Sequence, residues 1–304
     1  MEDLKSLIIM KNKLLPYIWV LLFVTLMSAC AATAPQVTPP PRPAKIALVL
    51  GAGASKGFAH IGVLKILENQ RVPIHMIVGA SVGSFIGGLY AYGYNAYKLQ
   101  TVAMAIEKDD ITELTLPDNG FVGGERLRSY VNAKVTNTPI EKFRIPFYAV
   151  ATDIKTGEEI IFGSGNAGMA VQASCSVPGV FQPARFSGRS YVDGGVVNPL
   201  PVDVARRYGA DVVIAVDISS SVDRNIPTST LETILKSVDI MYGKISQTQI
   251  AKADIVISPK VGFVGSADFT LRHEAILEGE KAAVAALPKI HGILSRLRQE
   301  GRLP

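Results

Sequence analysis

The apolar residues of this 304-residue chain fall into runs whose internal spacing sorts them into strands and helices. IALVL (46–50) is an unbroken apolar run of strand length, and it stops at the small-residue loop GAGASKG (51–57). A run of this kind predicts a strand buried on both faces, as in a parallel sheet. The stretch FAHIGVLKILENQ (58–70) follows, with Phe58, Ile61, Leu64 and Leu67 recurring along one helix face. IHMIV (74–78) is a second strand, and it ends at Gly79. The pattern is a β-α-β unit, whose two strand-end loops lie at the same carboxyl edge of a parallel sheet.

Beyond Ser81, the small residues Gly83, Ser84, Gly87 and Gly88 recur at helical spacing and predict a buried helix that approaches its neighbours closely. Further strands are predicted at 147–152, 158–163, 212–218 and 253–259, and helices at 124–135, 166–174, 201–208, 229–251 and 272–300. There is no internal repeat, no heptad seam and no second Pro/Gly-rich linker, so one α/β domain is expected over 45–304. The composition, 48% hydrophobic and 19% charged, is that of a chain with a full core and excludes general disorder.

The N-terminus has a different texture. Lys11 and Lys13 precede an apolar run from Leu14 to Met27 that closes with Ser28, Ala29 and Cys30, the layout of a secretory signal peptide over 1–29. LMSAC is similar to the bacterial lipobox, which implies a lipid on Cys30 as the mature N-terminus, with a plain signal peptide or an uncleaved anchor as the alternatives. Residues 30–44 are proline-rich and read as an extended tether. Met10 is the more natural start than Met1. Ala31 after the cysteine favours an outer-membrane, periplasm-facing anchor in the cell envelope. Cleavage before Cys30 removes three lysines and two acidic residues from a formal +5, leaving +4, too diffuse to argue for nucleic acid. The basic residues of the last helix, Lys281 to Arg302, read first as a solvated face.

Two loops carry candidate chemistry. GAGASKG fails as a dinucleotide loop, because the next strand ends in Gly79-Ala80-Ser81 and offers no acidic residue; it fails as a P-loop because Lys56 is followed by Gly57. What remains is an amide cradle: the N–H groups of Ala52, Gly53 and Ala54, between Gly51 and the helix start, are placed to stabilise an oxyanion. GASVG (79–83) fits G-x-S-x-G, in which Gly79 and Gly83 allow a sharp turn that exposes the Ser81 hydroxyl. Such a serine needs a base. His60, His75, His273 and His291 are the only histidines, and none sits on a turn over the serine. Asp193, at the end of a short strand and followed by Gly194-Gly195, is the alternative, although an isolated Asp-Gly-Gly is more often a simple turn. Asp153 and Asp217 read as loop caps and Cys175 as a buried, unreactive thiol. No His/Cys/Asp cluster has metal-ligand spacing, so neither metal nor cofactor is expected.

LVLGAGASKGFAHIGVL, IVGASVGSFIGGLYAYG, ATDIKTGEEIIF, ASCSVPGVFQP, YVDGGVVNPLP and VIAVD, in that order, resemble a bacterial patatin-like phospholipase domain over about 45–285. The resemblance implies a three-layer α/β/α sandwich with a mostly parallel central sheet. It also implies a Ser81–Asp193 dyad served by the amides of Ala52 to Ala54, with no histidine. The implied substrate is a membrane phospholipid or lysophospholipid. Alternatives are an esterase or thioesterase on soluble acyl groups, and a catalytically idle scaffold or lipid-binding module. Ala52 and Ala54 stand where members usually carry glycine, and Lys56 where they usually carry arginine.

Overall fold

The strands pair as the apolar runs require. In the computed structural model, which describes residues 41–115, 120–219 and 226–304 together with 10, 16–17 and 19–23, β1 (Ile46–Leu50) lies between two parallel neighbours. These are β2 (Met76–Ala80) and β9 (Val212–Val216), and every residue of the three strands is buried. β10 (Ile255–Ile257) extends the sheet beyond β9, and β5 (Phe147–Asp153) extends it beyond β2, both in parallel. β6 (Glu159–Phe162), β8 (Arg189–Asp193) and β7 (Ala184–Phe186) complete it as antiparallel strands.

Side chains of β1 alternate between two cores. Ile46, Leu48 and Leu50 face a layer built by α1 (Phe58–Asn69), α2 (Val82–Tyr92), α3 (Ala96–Ala105), α5 (Glu125–Lys134), α6 (Ala167–Cys175) and α9 (Arg272–Gln299). The short α4 (Lys108–Ile111) precedes α5 in the chain. Ala47 and Val49 face the opposite layer, formed by α7 (Val202–Arg207) and α8 (Thr230–Ile250). The result is the expected three-layer α/β/α sandwich. Several helices begin where a side chain satisfies a free amide: Asn95 accepts from Lys98 N–H, Asn166 from Met169 N–H and Ser229 from Glu232 N–H.

A strand has two edges. β6 occupies one edge of β5 from Ala149 to Thr152, so β2 and β8 must share the other. They meet end to end from opposite directions: Ala80 is opposite Val150, and Asp193 is opposite the next residue, Ala151. This junction places the residue after Ala80 beside Asp193.

The structure departs from the sequence reading in detail. The second strand runs over Met76–Ala80 rather than 74–78, because Gly79 and Ala80 still pair with β1 and β5 while the His75 ring accepts the Ile46 N–H. The strand at 212–218 ends at Val216, since Asp217 turns its carboxylate back to Ser219. Helix α3, the small hairpin β3 (Glu113–Leu114) with β4 (Val122–Gly123), and β7 carry no strong periodicity and were not expected.

Arg42–Pro304 is one compact unit and Met1–Pro41 another. In the latter, Met10, 16–17 and 19–23 are helical and exposed, while Cys30 and most of the expected signal peptide and tether lie outside the described residues. Among the described residues no helix is long and apolar enough to cross a membrane.

The crossing of α2 over β1 depends on Gly83, where a Cβ would lie 2.0 Å from the Leu50 carbonyl oxygen. Backbone cannot yield as a flexible side chain does. Gly83→Ala is therefore expected to destabilise the domain by about 3 kcal/mol or more, measured by chemical denaturation.

Candidate active site

Ser81 sits between β2 and α2 with φ 52° and ψ −129°, a backbone conformation that non-glycine residues seldom adopt. The turn persists because its surroundings determine it. A Cβ on Gly79 would lie 2.5 Å from backbone atoms of Gly83, so the two glycines of G-x-S-x-G are in backbone contact and leave no room for side chains. The Ser81 N–H donates to Ser174 Oγ at 3.0 Å, and that hydroxyl donates in turn to the Val150 carbonyl at 2.6 Å. The Ser81 carbonyl accepts from both the amide and the hydroxyl of Ser84.

Asp193 is held equally firmly. Its N–H donates to the Ser176 carbonyl at 2.9 Å, and its own carbonyl accepts from the Thr152 hydroxyl at 2.9 Å. Its carboxylate is fully buried. Oδ1 accepts the Gly195 N–H at 2.7 Å, and Oδ2 accepts the Ser81 hydroxyl at 2.5 Å. The geometry is that of a serine whose proton already points at a carboxylate, the arrangement that general-base activation of a nucleophile requires. Burial pushes the Asp193 carboxyl up to about 6, against the lowering effect of the Ser81 hydroxyl and the Gly195 amide.

The cradle lies against the same turn. Gly83 touches the end of β1, and a Cβ on Gly57 would fall within 2.2 Å of Val82, the residue after the serine. Three amides were expected to face an oxyanion, but the Ala52 N–H donates to the Pro199 carbonyl at 2.8 Å. Gly53 and Ala54 make no such bond among the described residues, so the available pair is theirs. Ala54 holds φ 48°, left-handed geometry that glycine would take freely and that costs alanine about 1 kcal/mol. The Gly51 carbonyl is 2.9 Å from His60 Nε2. Burial pulls His60 down to about 4, so the ring is neutral and donates that bond, supporting the cradle from behind.

The remaining sequence candidates take structural places. His75 serves Ile46, and His273 and His291 are exposed on α9. Asp153 accepts the amides of Lys155 and Thr156 at its turn. Burial pushes the Cys175 thiol well up, which keeps it protonated. Lys56 is buried and ion-paired to Asp239 on α8 at 2.9 Å, and Ser266 also donates to Asp239. Sequence reasoning passed over Ser174, Asp239 and Tyr242. Ser174 lay inside the quoted ASCSVPG segment; the other two sit in a helix without motif.

Residues 48–206, just over half of the chain and spanning the cradle, the elbow and Asp193, match the family model described as patatin-like phospholipase. The chain belongs to that family. Among its relatives, the lysophospholipase NTE1 of Lodderomyces elongisporus is 36% identical over 185 residues, covering 59% of this chain and 13% of that one. The human patatin-like phospholipase domain-containing protein 6 is 35% identical over 191 residues, covering 60% and 14%. This chain therefore spans about an eighth of the length of the curated relatives it matches. Of solved structures, VipD from Legionella pneumophila superposes with a TM-score of 0.49 at 13% identity, covering 82% of this chain and 67% of that one. The type III effector ExoU gives 0.46 at 11% identity, covering 83% and 54%.

The buried carboxylate of this patatin-like site has a measurable cost. At pH 7 the fold must hold Asp193 ionised although its folded value, about 6, lies above the ordinary 3.8, which amounts to about 3 kcal/mol. That cost disappears as pH falls through 6 towards 4, where both folded and unfolded states are protonated. Asp193→Asn is expected to be more stable than wild type at pH 7, with an advantage that shrinks towards pH 4 in parallel denaturation curves.

Proposed function

We propose that this chain is a serine acyl-ester hydrolase that releases fatty acids from phospholipids or lysophospholipids. The observation that carries the reading is the bond from the Ser81 hydroxyl to the Asp193 carboxylate, on a G-x-S-x-G turn within a patatin-like domain. Ser81 Oγ attacks the ester carbonyl as Asp193 takes its proton. The amides of Gly53 and Ala54 hold the developing oxyanion, and the α2 N-terminus behind Ser81 adds its dipole. Collapse of the intermediate passes the proton from Asp193 to the leaving alcohol and leaves an acyl-serine. Water, deprotonated by the same carboxylate, then releases the fatty acid.

A lipid substrate is supported by an apolar cleft of about 360 Å³, which Tyr242, the neighbour of Gly195, borders together with Pro178, Val196, Ile234, Val238 and Met241. Its lining is almost wholly apolar, as an acyl chain requires. The names of the relatives point the same way. The lipobox-like LMSAC and the proline-rich segment after it support attachment through Cys30 to the cell envelope, with the outer membrane favoured. Substrate would then lie in the membrane that holds the enzyme, and surface concentration would govern encounter.

Ser81→Ala and Asp193→Asn are each expected to abolish hydrolysis of a short-chain ester with circular dichroism unchanged. Near-normal rates in the aspartate variant would remove the dyad. A purified domain that a fluorophosphonate probe leaves unlabelled would instead indicate an idle scaffold. Rates on micellar phospholipid should exceed those on a water-soluble ester; the reverse order would favour a soluble-substrate esterase. In wild type, kcat/KM should fall as pH drops through about 6, where Asp193 takes up a proton.

A further inference from the structure

The dyad has a third neighbour that no motif announces. Tyr242 lies one turn after Asp239 on α8 and is 4% exposed, yet among the described residues its hydroxyl closes no hydrogen bond of ordinary geometry, although it lies close enough to the Asp193 carboxylate to act on it. A buried, unpartnered hydroxyl costs about 1–3 kcal/mol. Such a group in a native site calls for a reason. Its position suggests one. A Cβ on Gly195 would lie 2.4 Å from Tyr242 Cζ, the carbon that bears the hydroxyl, so the phenol stands over the residue whose amide binds Asp193 Oδ1. The second glycine of Asp-Gly-Gly thus makes room for this ring.

We propose that Tyr242 is a positioning residue of the dyad, its hydroxyl turning to donate to the Asp193 carboxylate and so holding it as an oriented anion beside Ser81. The proposal rests on the Ser81–Asp193 reading. In it, Oδ2 keeps the Ser81 proton, Oδ1 keeps the Gly195 amide, and the phenol supplies a third donor. Asp193 is faced by Ser81 at the start of α2, by Cys175 at the end of α6, by Gly195 and by Tyr242. Tyr242 is faced by Asp193, Cys175 and, on its own helix, Asp239, whose charge is paired with Lys56. Burial and the Asp193 charge hold the phenol well above its ordinary value, so it remains a donor throughout the working pH range. The phenol opposes the upward push of burial on Asp193.

Tyr242→Phe keeps the ring and removes the donor. Loss of one such bond to a carboxylate should raise the Asp193 midpoint by about one pH unit. The ratio of variant to wild-type kcat/KM should then fall about fivefold between pH 8 and pH 6. A ratio independent of pH would overturn the proposal, because lost packing alone lowers all rates alike. A second measurement needs no turnover: infrared titration of the protonated carboxyl band, assigned by its absence in Asp193→Asn, gives the midpoint directly. It should rise in Tyr242→Phe and fall when 3-fluorotyrosine, a stronger donor of nearly the same shape, replaces Tyr242. An unmoved midpoint in both proteins also overturns the proposal. A wild type that titrates as expected yet hydrolyses no ester would count against the hydrolase reading and leave this one standing.

Discussion

The two edges of β5 govern the site. Because β6 covers one edge, β2 and β8 must meet on the other, one ending where the other ends. Ser81 and Asp193 are 112 residues apart in the chain, yet the ladder of β5 brings their backbones side by side. The local hydrogen bonds refine this placement. Ser174 joins the Ser81 amide to Val150, and Thr152 with Ser176 fixes the backbone of Asp193, so each partner is tied to β5 or to the segment packed on it.

A pair assembled in this way lies in a buried, low-dielectric place, where its charge is expensive. The site answers with donors aimed at the carboxylate, and among the described residues no cation is paired with it. Lys56 is close in sequence to the cradle, but its charge is neutralised by Asp239 and does not reach the dyad as a salt bridge. A cation at Asp193 would have held the carboxyl far below neutrality and made it a poor base. Hydroxyl and amide donors leave it near 6, close enough to working pH to take and return a proton. His60 follows the complementary course. Its burial keeps it neutral, so it holds the Gly51 carbonyl without adding charge behind the Gly53 and Ala54 amides.

Much of this was legible in the sequence. The apolar runs at 46–50 and 212–218 announced central strands because both faces of each are covered, and the order of loops placed the cradle and the elbow at one sheet edge. Ser81 and Asp193 were legible because glycines beside them mark backbone that must turn or approach closely. Other features were hidden for physical reasons. That the Ala52 amide is occupied depends on Pro199, nearly 150 residues away, and no local pattern records it. Tyr242 and Asp239 lie in an ordinary amphipathic helix, where an inward polar residue looks like any interruption of the apolar face. The antiparallel arrival of β8 was equally hidden, since short strands of this kind carry no sign of direction.

Helix α8 does three things on different sides of its axis. Asp239 reaches the cradle lysine, Tyr242 stands over Gly195, and Ile234, Val238, Met241 and Ile245 form a wall of the apolar cleft. Adding or removing one residue turns everything beyond it by about 100° about the helix axis. Between Asp239 and Tyr242 such a change would carry the phenol off the dyad while leaving the cradle tie in place. Variation in the length of this helix is therefore restricted to its two ends, and the shape of the cleft must be altered by exchanging side chains along a fixed frame.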